Sequence, residues 1–294
     1  MSPDAATRYR ARFRRVLDFV DTHLEEDLAL ERLATVAAFS KHHFHRQFTQ
    51  LFGMGVYRYV QLRRLKRASW QLAFRESMPV TEIALSSGYE GPEAFARAFR
   101  KHTGQSPSEF RREPQWDPWN ATCQPLSELR IQHMTPTHSR DQIRVVDFPA
   151  TRVATLEHRG DPRRLGASIR RFIEWRKANR LPPRISATFN IAYDDPEQTP
   201  PEDFRFDLCA ATDRDIEPND TGIVVKTIPE GRCAVIRHIG SDDLLATTVA
   251  YLYSEWLPGS GEEPRDFPLY FERVSFFPDV PEHEAITDVF LPIR

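Results

Sequence analysis

Cysteine is scarce in this sequence. Its three thiols, Cys123, Cys209 and Cys233, lie far apart, are odd in number and form no C-x-x-C pair. That excludes a disulfide framework and a cysteine-based zinc cluster, and fits reduced thiols in a cytoplasmic protein. Long apolar runs are missing as well: nothing approaches the ~20 consecutive apolar residues of a membrane-spanning helix. The opening stretch MSPDAATRYRARFRRVLDF is basic, with neither the apolar segment nor the small-residue cleavage site of a secretory signal. The expected location is the cytoplasm, without a membrane partner. A third gap concerns charge. Between Glu31 and Glu76 there is no acidic residue, while nine Lys and Arg fall in that span. Such a stretch suits a polyphosphate surface, and equally suits a solvated cationic face.

What is present divides in two. The 294 residues, 40% apolar and 28% charged, suffice for two ordinary domains with a sizeable core. The net charge of −2 hides a basic part and an acidic part: residues 1–118 carry 19 Lys and Arg against 14 Asp and Glu, and residues 119–294 carry 21 against 28. The border falls in RREPQWDPWNATCQPLSELRIQHMTPTHSRDQ, residues 111–142, rich in Pro and polar residues and without sustained periodicity. It reads as a linker over 113–140, whose Trp116 and Trp119 suggest that its first part packs down on a domain.

Before that border, helical spacing dominates, as in Phe13, Val16, Leu17 and Val20. A repeat then appears at an offset of 51 residues: SKHHFHRQFTQLFGMGVYRY lies over GPEAFARAFRKHTGQSPSEF, so that Phe44 meets Phe95, Phe48 meets Phe99 and Gly53 meets Gly104. Each copy follows a short helix, LERLATVAA or VTEIALSSG. Ser40 suits an N-cap and the two glycines suit helix stops, so each copy predicts a helix-turn-helix, with a long helix from Val56 to Phe74 between them. The stretch FSKHHFHRQF belongs to the second helix of the first unit. Phe44 and Phe48 form its buried stripe, whereas His42, His45, Arg46 and Thr49 share another face at i, i+3, i+4 and i+7. His43 points away from that group, beside the core or the backbone. The three histidines therefore do not converge, and without nearby acids or thiols no metal site is expected. Two readings of the face remain: a solvated surface, or donors to bases in a DNA major groove, with Arg preferring guanine.

Residues 10–112 resemble the DNA-binding domain of the AraC/XylS family of bacterial transcription regulators. The resemblance is carried by SKHHFHRQF, RYVQLRRLKRA, IALSSGYEGPEAFARAFRKHTG and QSPSEFRR. It implies two recognition helices in successive major-groove turns, the first offering His42, His45 and Arg46 to bases, the second (Pro92–Thr103) offering Glu93 and Arg97. Histidines at 42 and 45 stand where relatives often have Trp and Gln, and Pro92 with Glu93 replaces polar donors, so no target sequence transfers. Phosphate contacts are expected from Lys41, Arg63, Arg67 and Lys101, with Arg63 and Arg67 alternatively ordinary surface charges. Each phosphate neutralised adds roughly one unit to the log–log salt slope. The implied partner is double-stranded DNA, and the implied location is nucleoid-associated cytoplasm.

The acidic half repeats at an offset of 80: IRVVDFPATRVATLEHRGDPRRLGASIRRFIEW lies over IVVKTIPEGRCAVIRHIGSDDLLATTVAYLYSEW, with a one-residue insertion bringing Trp175 over Trp256. Asp161 and Ser241 follow as matched N-caps, and each unit reads strand, strand, helix, then further strands such as RFDLCAA and AITDVFLPI. Pairing of the two predicts an α+β sheet with two helices on one face and a groove between the halves. His158 and His238 occupy equivalent strand positions, which argues for a structural role. This half resembles the GyrI-like effector-binding domain through IPEGRCAVIRHIG, YDDPEQTPPEDFRFDLC and PLYFERVSFFPDVPEHEAITDVFLPI.

That resemblance implies a small-molecule pocket lined by aromatics, with a buried glutamate for cationic ligands. Here the glutamate is Glu272, though a one-residue register difference puts Phe271 there instead. Tyr270, Phe271, Tyr193, Phe189, Trp175 and Trp256 are further pocket residues, with core packing as the alternative for each. A lipophilic cation suits an aromatic pocket with one carboxylate. The whole is thus expected to be a multidomain regulator: an all-α tandem helix-turn-helix domain over 1–112, the linker, and an α+β pseudo-symmetric effector domain over 141–294. No cofactor is implied. RNA polymerase is a further partner for such a regulator, and either a monomer or a homodimer is compatible. The other functional readings are a GyrI-like hydrolase, with Glu272 and Tyr193 as its acid and phenol, and a drug-sequestering protein.

Overall fold

The computed structural model describes residues 3–217 and 219–294, without the side chains of residues 3–7. The chain forms two compact units, Met1–Thr135 and Pro136–Arg294.

The first unit is helical: α1 (Pro3–Thr22), α2 (Leu30–Val36), α3 (Lys41–Phe52), α4 (Val56–Phe74), α5 (Val80–Ser86), α6 (Pro92–Thr103), α7 (Pro107–Arg112) and α8 (Trp116–Met134). The pairs α2–α3 and α5–α6 are the two helix-turn-helix units. Their second helices stop where the repeat placed glycines, at Gly53 (φ 68°) and Gly104 (φ 77°). A left-handed backbone at those two positions is strained for any residue with a Cβ. Ser40 takes the N-cap position of α3 with extended backbone, but its side chain makes no capping bond. A full capping box instead opens α7, where Ser106 accepts from the Glu109 amide and the Glu109 carboxylate accepts from the Ser106 amide. Beneath the two units lie matched aromatic cores: Phe13, Phe44, Phe48 and Tyr59 in one, and Phe95, Phe99 and Phe110 in the other, all with no exposed surface.

The segment read as a linker is mostly helix. In α8, Trp119, Cys123, Leu126, Leu129 and Met134 are buried as part of the first unit. The apolar spacing was there in the sequence, but Pro118 and Pro125 and the interleaved polar residues obscured it. Pro118 lies in the first turn, where a missing N–H costs little. Arg130 fixes α8 further: its Nη1 donates to Asp21 Oδ2 of α1 (2.7 Å), while Arg63 Nε of α4 donates to Asp21 Oδ1 (2.7 Å).

The second unit is a sheet with two helices: β1 (Ile143–Phe148), β2 (Thr151–Arg159), α9 (Leu165–Ala178), β3 (Thr188–Ala192), β4 (Arg205–Ala211), β5 (Ile223–Ile228), β6 (Gly231–Ile239), α10 (Leu245–Tyr251), β7 (Leu269–Ser275) and β8 (Ile286–Pro292). The eight strands are ordered β1-β6-β8-β7-β3-β4-β2-β5, and every pairing is antiparallel. Exchanging each strand of the first half with its repeat mate reverses this order onto itself. The sheet is therefore pseudo-two-fold about the β3–β7 seam, with the edge strands β1 and β5 swapped between halves.

Both helices cover one face. Ala154, Leu156, Leu208 and Ala210 pack under α9, and Ala234, Ile236, Phe271, Val289 and Leu291 pack under α10. The inserted residue is absorbed as a π-helical turn, Leu252–Trp256, continuing α10. That turn restores the phase, so that Trp175 and Trp256 are both buried against the sheet.

Candidate functional site

In the first unit, α3 exposes His42, His45 and Arg46 while burying Phe44 and Phe48. Thr49 is half-buried, and its hydroxyl donates back to the His45 carbonyl at 3.0 Å. His43 corrects the expectation: it is exposed, and with Tyr9, Arg46, Gln47, Gln50 and Leu51 it lines a surface cleft. Among the described residues, no three His, Cys, Asp or Glu side chains gather in a way that could hold a metal. On α6, Glu93, Arg97 and Lys101 are exposed, with Arg100 beside them. The two helices thus present polar, mostly cationic faces over apolar undersides, which is what reading a groove from a rigid core requires.

The expected phosphate contacts divide. Lys101 is exposed, whereas Lys41 is engaged by Glu31, and Arg67 by Glu25. Arg63 is a correction. Its side chain is 1% exposed, and it lies in the ion network with Asp21 and Arg130, whose Nη1 also donates to the Tyr59 hydroxyl at 3.2 Å. A guanidinium buried between helices cannot reach a phosphate; it holds α1, α4 and α8 together.

In the second unit the register separates the residues expected to line one pocket. Phe271 is aligned with Asn190 and Val289, on the face covered by α9 and α10. Trp175 and Trp256 are core residues of that same face. Glu272 pairs with Phe189 on one side and Asp288 on the other, which puts it on the opposite face with Tyr270. There Tyr270 stacks on Phe290 (centroids 4.9 Å) and meets Phe148 edge-on (5.1 Å) and Phe189 (6.4 Å). Glu272, Tyr270 and Phe189 therefore belong together; Phe271, Trp175 and Trp256 belong to the packed core on the other side of the sheet.

Two charge clusters rise from the aromatic face, one in each half. Around Glu272, Asp288 accepts both bonds of a bidentate pair from Arg237 (2.7 and 2.8 Å). Among the described residues the Glu272 carboxylate makes no side-chain hydrogen bond or close ion pair, although Arg237 acts on it through space. Burial, with the Asp288 carboxylate opposite, holds its carboxyl above the usual carboxylate range, and Arg237 only partly offsets this. The other cluster contains Tyr193, whose hydroxyl donates to Asp207 Oδ2 at 2.9 Å. Tyr193 is thus engaged away from Glu272, and the acid–phenol pair of a hydrolytic reading is not assembled. Asp207 and Asp288 went unnoticed in the sequence, although they are mates in the repeat (an offset of 81 after the inserted residue).

His158 and His238 make the same contacts in each half. Their Nδ1 atoms lie 2.9 Å from Ser168 Oγ and 2.8 Å from Thr248 Oγ1, and their Nε2 atoms lie 3.3 and 3.0 Å from the Asp161 and Ser241 carbonyls. A carbonyl only accepts, so Nε2 carries the proton and Nδ1 accepts from the hydroxyl. Both rings tie a strand to the start of the following helix, a structural role.

Both units are similar to known proteins. The GyrI-like small molecule binding domain matches residues 141–294, and a helix-turn-helix domain matches residues 33–113. The chain is 40% identical over 152 residues to the probable transcriptional regulator YgiV of Escherichia coli (strain K12), which covers 51% of this chain and 95% of that protein. It is 33% identical over 103 residues to the right origin-binding protein of the same strain, covering 35% of each. Among solved structures, the crystal structure of the EcmrR C-terminal domain aligns with a TM-score of 0.44 at 18% identity, over 52% of this chain and 97% of that one.

Proposed function

The chain belongs to the GyrI-like small-molecule binding family, carried here behind an AraC-type helix-turn-helix domain, and from that premise we propose that this transcriptional regulator takes a lipophilic monocation at Glu272. Binding there changes operator affinity or the contact with RNA polymerase. The α3 face with His42, His45 and Arg46 and the α6 face with Glu93 and Arg97 read the operator bases. One chain has two reading heads, so a monomer suffices for a site of about two helical turns.

The observation that carries the ligand class is the half-buried carboxylate of Glu272, which makes no side-chain hydrogen bond among the described residues and lies next to the buried Tyr270–Phe290 stack. Two carboxylates, Glu272 and Asp288, face one guanidinium, Arg237, which leaves one negative charge to neutralise. A hydrated inorganic cation would gain only charge pairing there, whereas a flat or alkylated organic cation also brings apolar surface to the half-buried site beside Glu272. Any regulatory effect equals the ligand's difference in affinity for two states of the protein.

The test compares benzyltrimethylammonium with its uncharged carbon isostere, neopentylbenzene, on the native chain and on Glu272→Gln. Loss of a desolvated charge pair should weaken the cation by roughly tenfold or more and leave the isostere unchanged. Equal weakening of both would remove Glu272 from the site.

A further inference from the structure

The other half of the aromatic face holds a cation already. Lys226, on the edge strand β5, directs its ammonium onto the cluster around Asp207. Its Nζ donates to Asp207 Oδ2 (2.6 Å), to Glu157 Oε1 (2.5 Å) and, at a longer 3.4 Å, to the Tyr193 hydroxyl. It also lies 5.5 Å from the centre of the Tyr193 ring. Asp207 has no exposed side-chain surface, and its Oδ1 accepts no hydrogen bond among the described residues; Arg159 Nη1 lies 4.0 Å from that oxygen. Burial works against the ammonium, but the bonds to Asp207 and Glu157 outweigh it and keep Lys226 charged well beyond the ordinary lysine range. Two carboxylates, a phenol and a ring face around one ammonium make a cation cage.

The repeat gives this cage a counterpart. Asp207 matches Asp288, and Glu157 matches Arg237, so each half has its carboxylate on β4 or β8 beside a charged neighbour on β2 or β6. Tyr193 and Arg159 of this cluster have apolar mates, Val274 and Ile239, and two further departures concern the charge balance. Lys226 is matched by Val146, and Ile191 is matched by Glu272. One half thus has a built-in ammonium and no extra carboxylate; the other has an extra carboxylate and no lysine. The first cluster balances, with Asp207 and Glu157 against Lys226 and Arg159, while the second is left negative.

We infer that the Asp207–Glu157–Tyr193 cage is a second cation site of this face, built around Asp207 where the repeat places Asp288 in the other half, with Lys226 as its resident cation. Lys226 therefore determines specificity by occupancy: a pseudo-two-fold domain that would otherwise offer two cation sites offers one. The ligand class of the cage itself is a primary alkylammonium, whose N–H donors match Asp207, Glu157 and the Tyr193 hydroxyl. The cage stands on its own geometry; only the count of one effector per chain rests on the Glu272 reading.

The test uses the full-length chain. Lys226→Ala removes the stem and ammonium that n-propylammonium would replace. Thermal unfolding of this variant should shift upward, saturably, with n-propylammonium chloride, beyond any shift from sodium chloride at equal ionic strength. Tetramethylammonium, of equal charge but without N–H donors, should not reproduce it. The native chain and Lys226→Met, whose side chain fills the same space, should not respond. Adding Glu157→Gln to Lys226→Ala should weaken the response by roughly tenfold in concentration. No shift in Lys226→Ala, or an equal shift in the native chain, overturns the cage. If Lys226→Ala does not fold unaided, refolding it in n-propylammonium decides: recovery supports the cage, and failure overturns it. Equilibrium dialysis of the native chain against benzyltrimethylammonium should give one bound cation. Two would overturn the occupancy by Lys226, while none would sink the Glu272 reading and leave the propylammonium result to judge the cage.

Discussion

At the scale of single residues, a charged side chain does what its surroundings allow. Arg46 is exposed on the α3 face and has no acidic partner among the described residues, which suits the proposed bidentate contact with a base edge. Arg46→Ala should cost about 1–3 kcal/mol at one base step of the operator and relax specificity there. Selection of genomic fragments by the native and variant proteins would check it; an equal loss on random DNA would mean a phosphate contact instead. Glu272 makes a pH-dependent prediction with two opposite signs. Burial raises its pKa above 4.5, so between that value and the raised one the folded chain holds a proton that the unfolded chain has released. Stability without ligand therefore falls as pH rises through this window, and Glu272→Gln should raise the midpoint of thermal unfolding at neutral pH. Cation affinity should rise through the same window, because only the carboxylate attracts the ligand. Calorimetric titration at several pH values reads the second sign, and unfolding without ligand reads the first. His42 and His45 were readable from spacing alone, since a helix with a buried Phe44–Phe48 stripe leaves them on another face. Arg63 was not, because nothing in the local pattern announces the Asp21 and Arg130 that bury it.

At the scale of elements, each helix is fixed by how it ends and what it lies on. Gly53 ends α3 with φ 68°, and a Cβ there would meet no neighbouring atom, so any cost is conformational. Gly53→Ala should destabilise the chain by about 1–2 kcal/mol, read by urea unfolding. The π-helical turn gives a different test. Deleting the exposed Ser254 should return the segment to ordinary helical winding, keep Trp256 against the sheet and change stability by less than about 1 kcal/mol. Deleting Glu174 from α9, which has no such turn, should rotate Trp175 by about 100° out of the core and destabilise far more. Helix α8 carries prolines and interleaved polar residues that break the apolar spacing marking a helix in sequence. Its anchor is a long-range pair, Arg130 to Asp21, and Asp21→Asn should cost about 3–5 kcal/mol by leaving two guanidinium groups without their carboxylate. Amide exchange in α8 should quicken with it.

At the scale of the whole molecule, the two units differ in charge as well as in architecture, and each is an internal duplication. The effector unit repeats its histidine ties as well as its strands. Burial keeps the pKa of both His158 and His238 below 6.5, so the unfolded chain takes up protons there before the folded one does. Stability from these two groups is complete above that value and declines as pH falls below it. The urea midpoint should drop between pH 7.5 and pH 5.5 (about a unit either side of an ordinary histidine), and His238→Gln should flatten that decline. A profile unchanged by the substitution would show that other groups govern the acid limb. The charges do not follow the duplication, since Lys226 lies between Asp207 and Glu157 in one half whereas Glu272 and Asp288 share Arg237 in the other.

The sequence by itself determined both duplications, the two helix-turn-helix units, the glycine stops and the α+β architecture with two helices on one face of a sheet. These follow from period and turn chemistry, which act over a few residues and survive in any surroundings. Tertiary structure alone decided the fate of the charges and of α8. It buried Arg63, set Lys226 between Asp207 and Glu157, left the Glu272 carboxylate without a side-chain hydrogen bond among the described residues and divided the expected pocket residues between two faces of one sheet. The physical reason is that the energy of a charge depends on what stands within a few ångströms of it. Here those neighbours come from strands and helices tens of residues away in the chain.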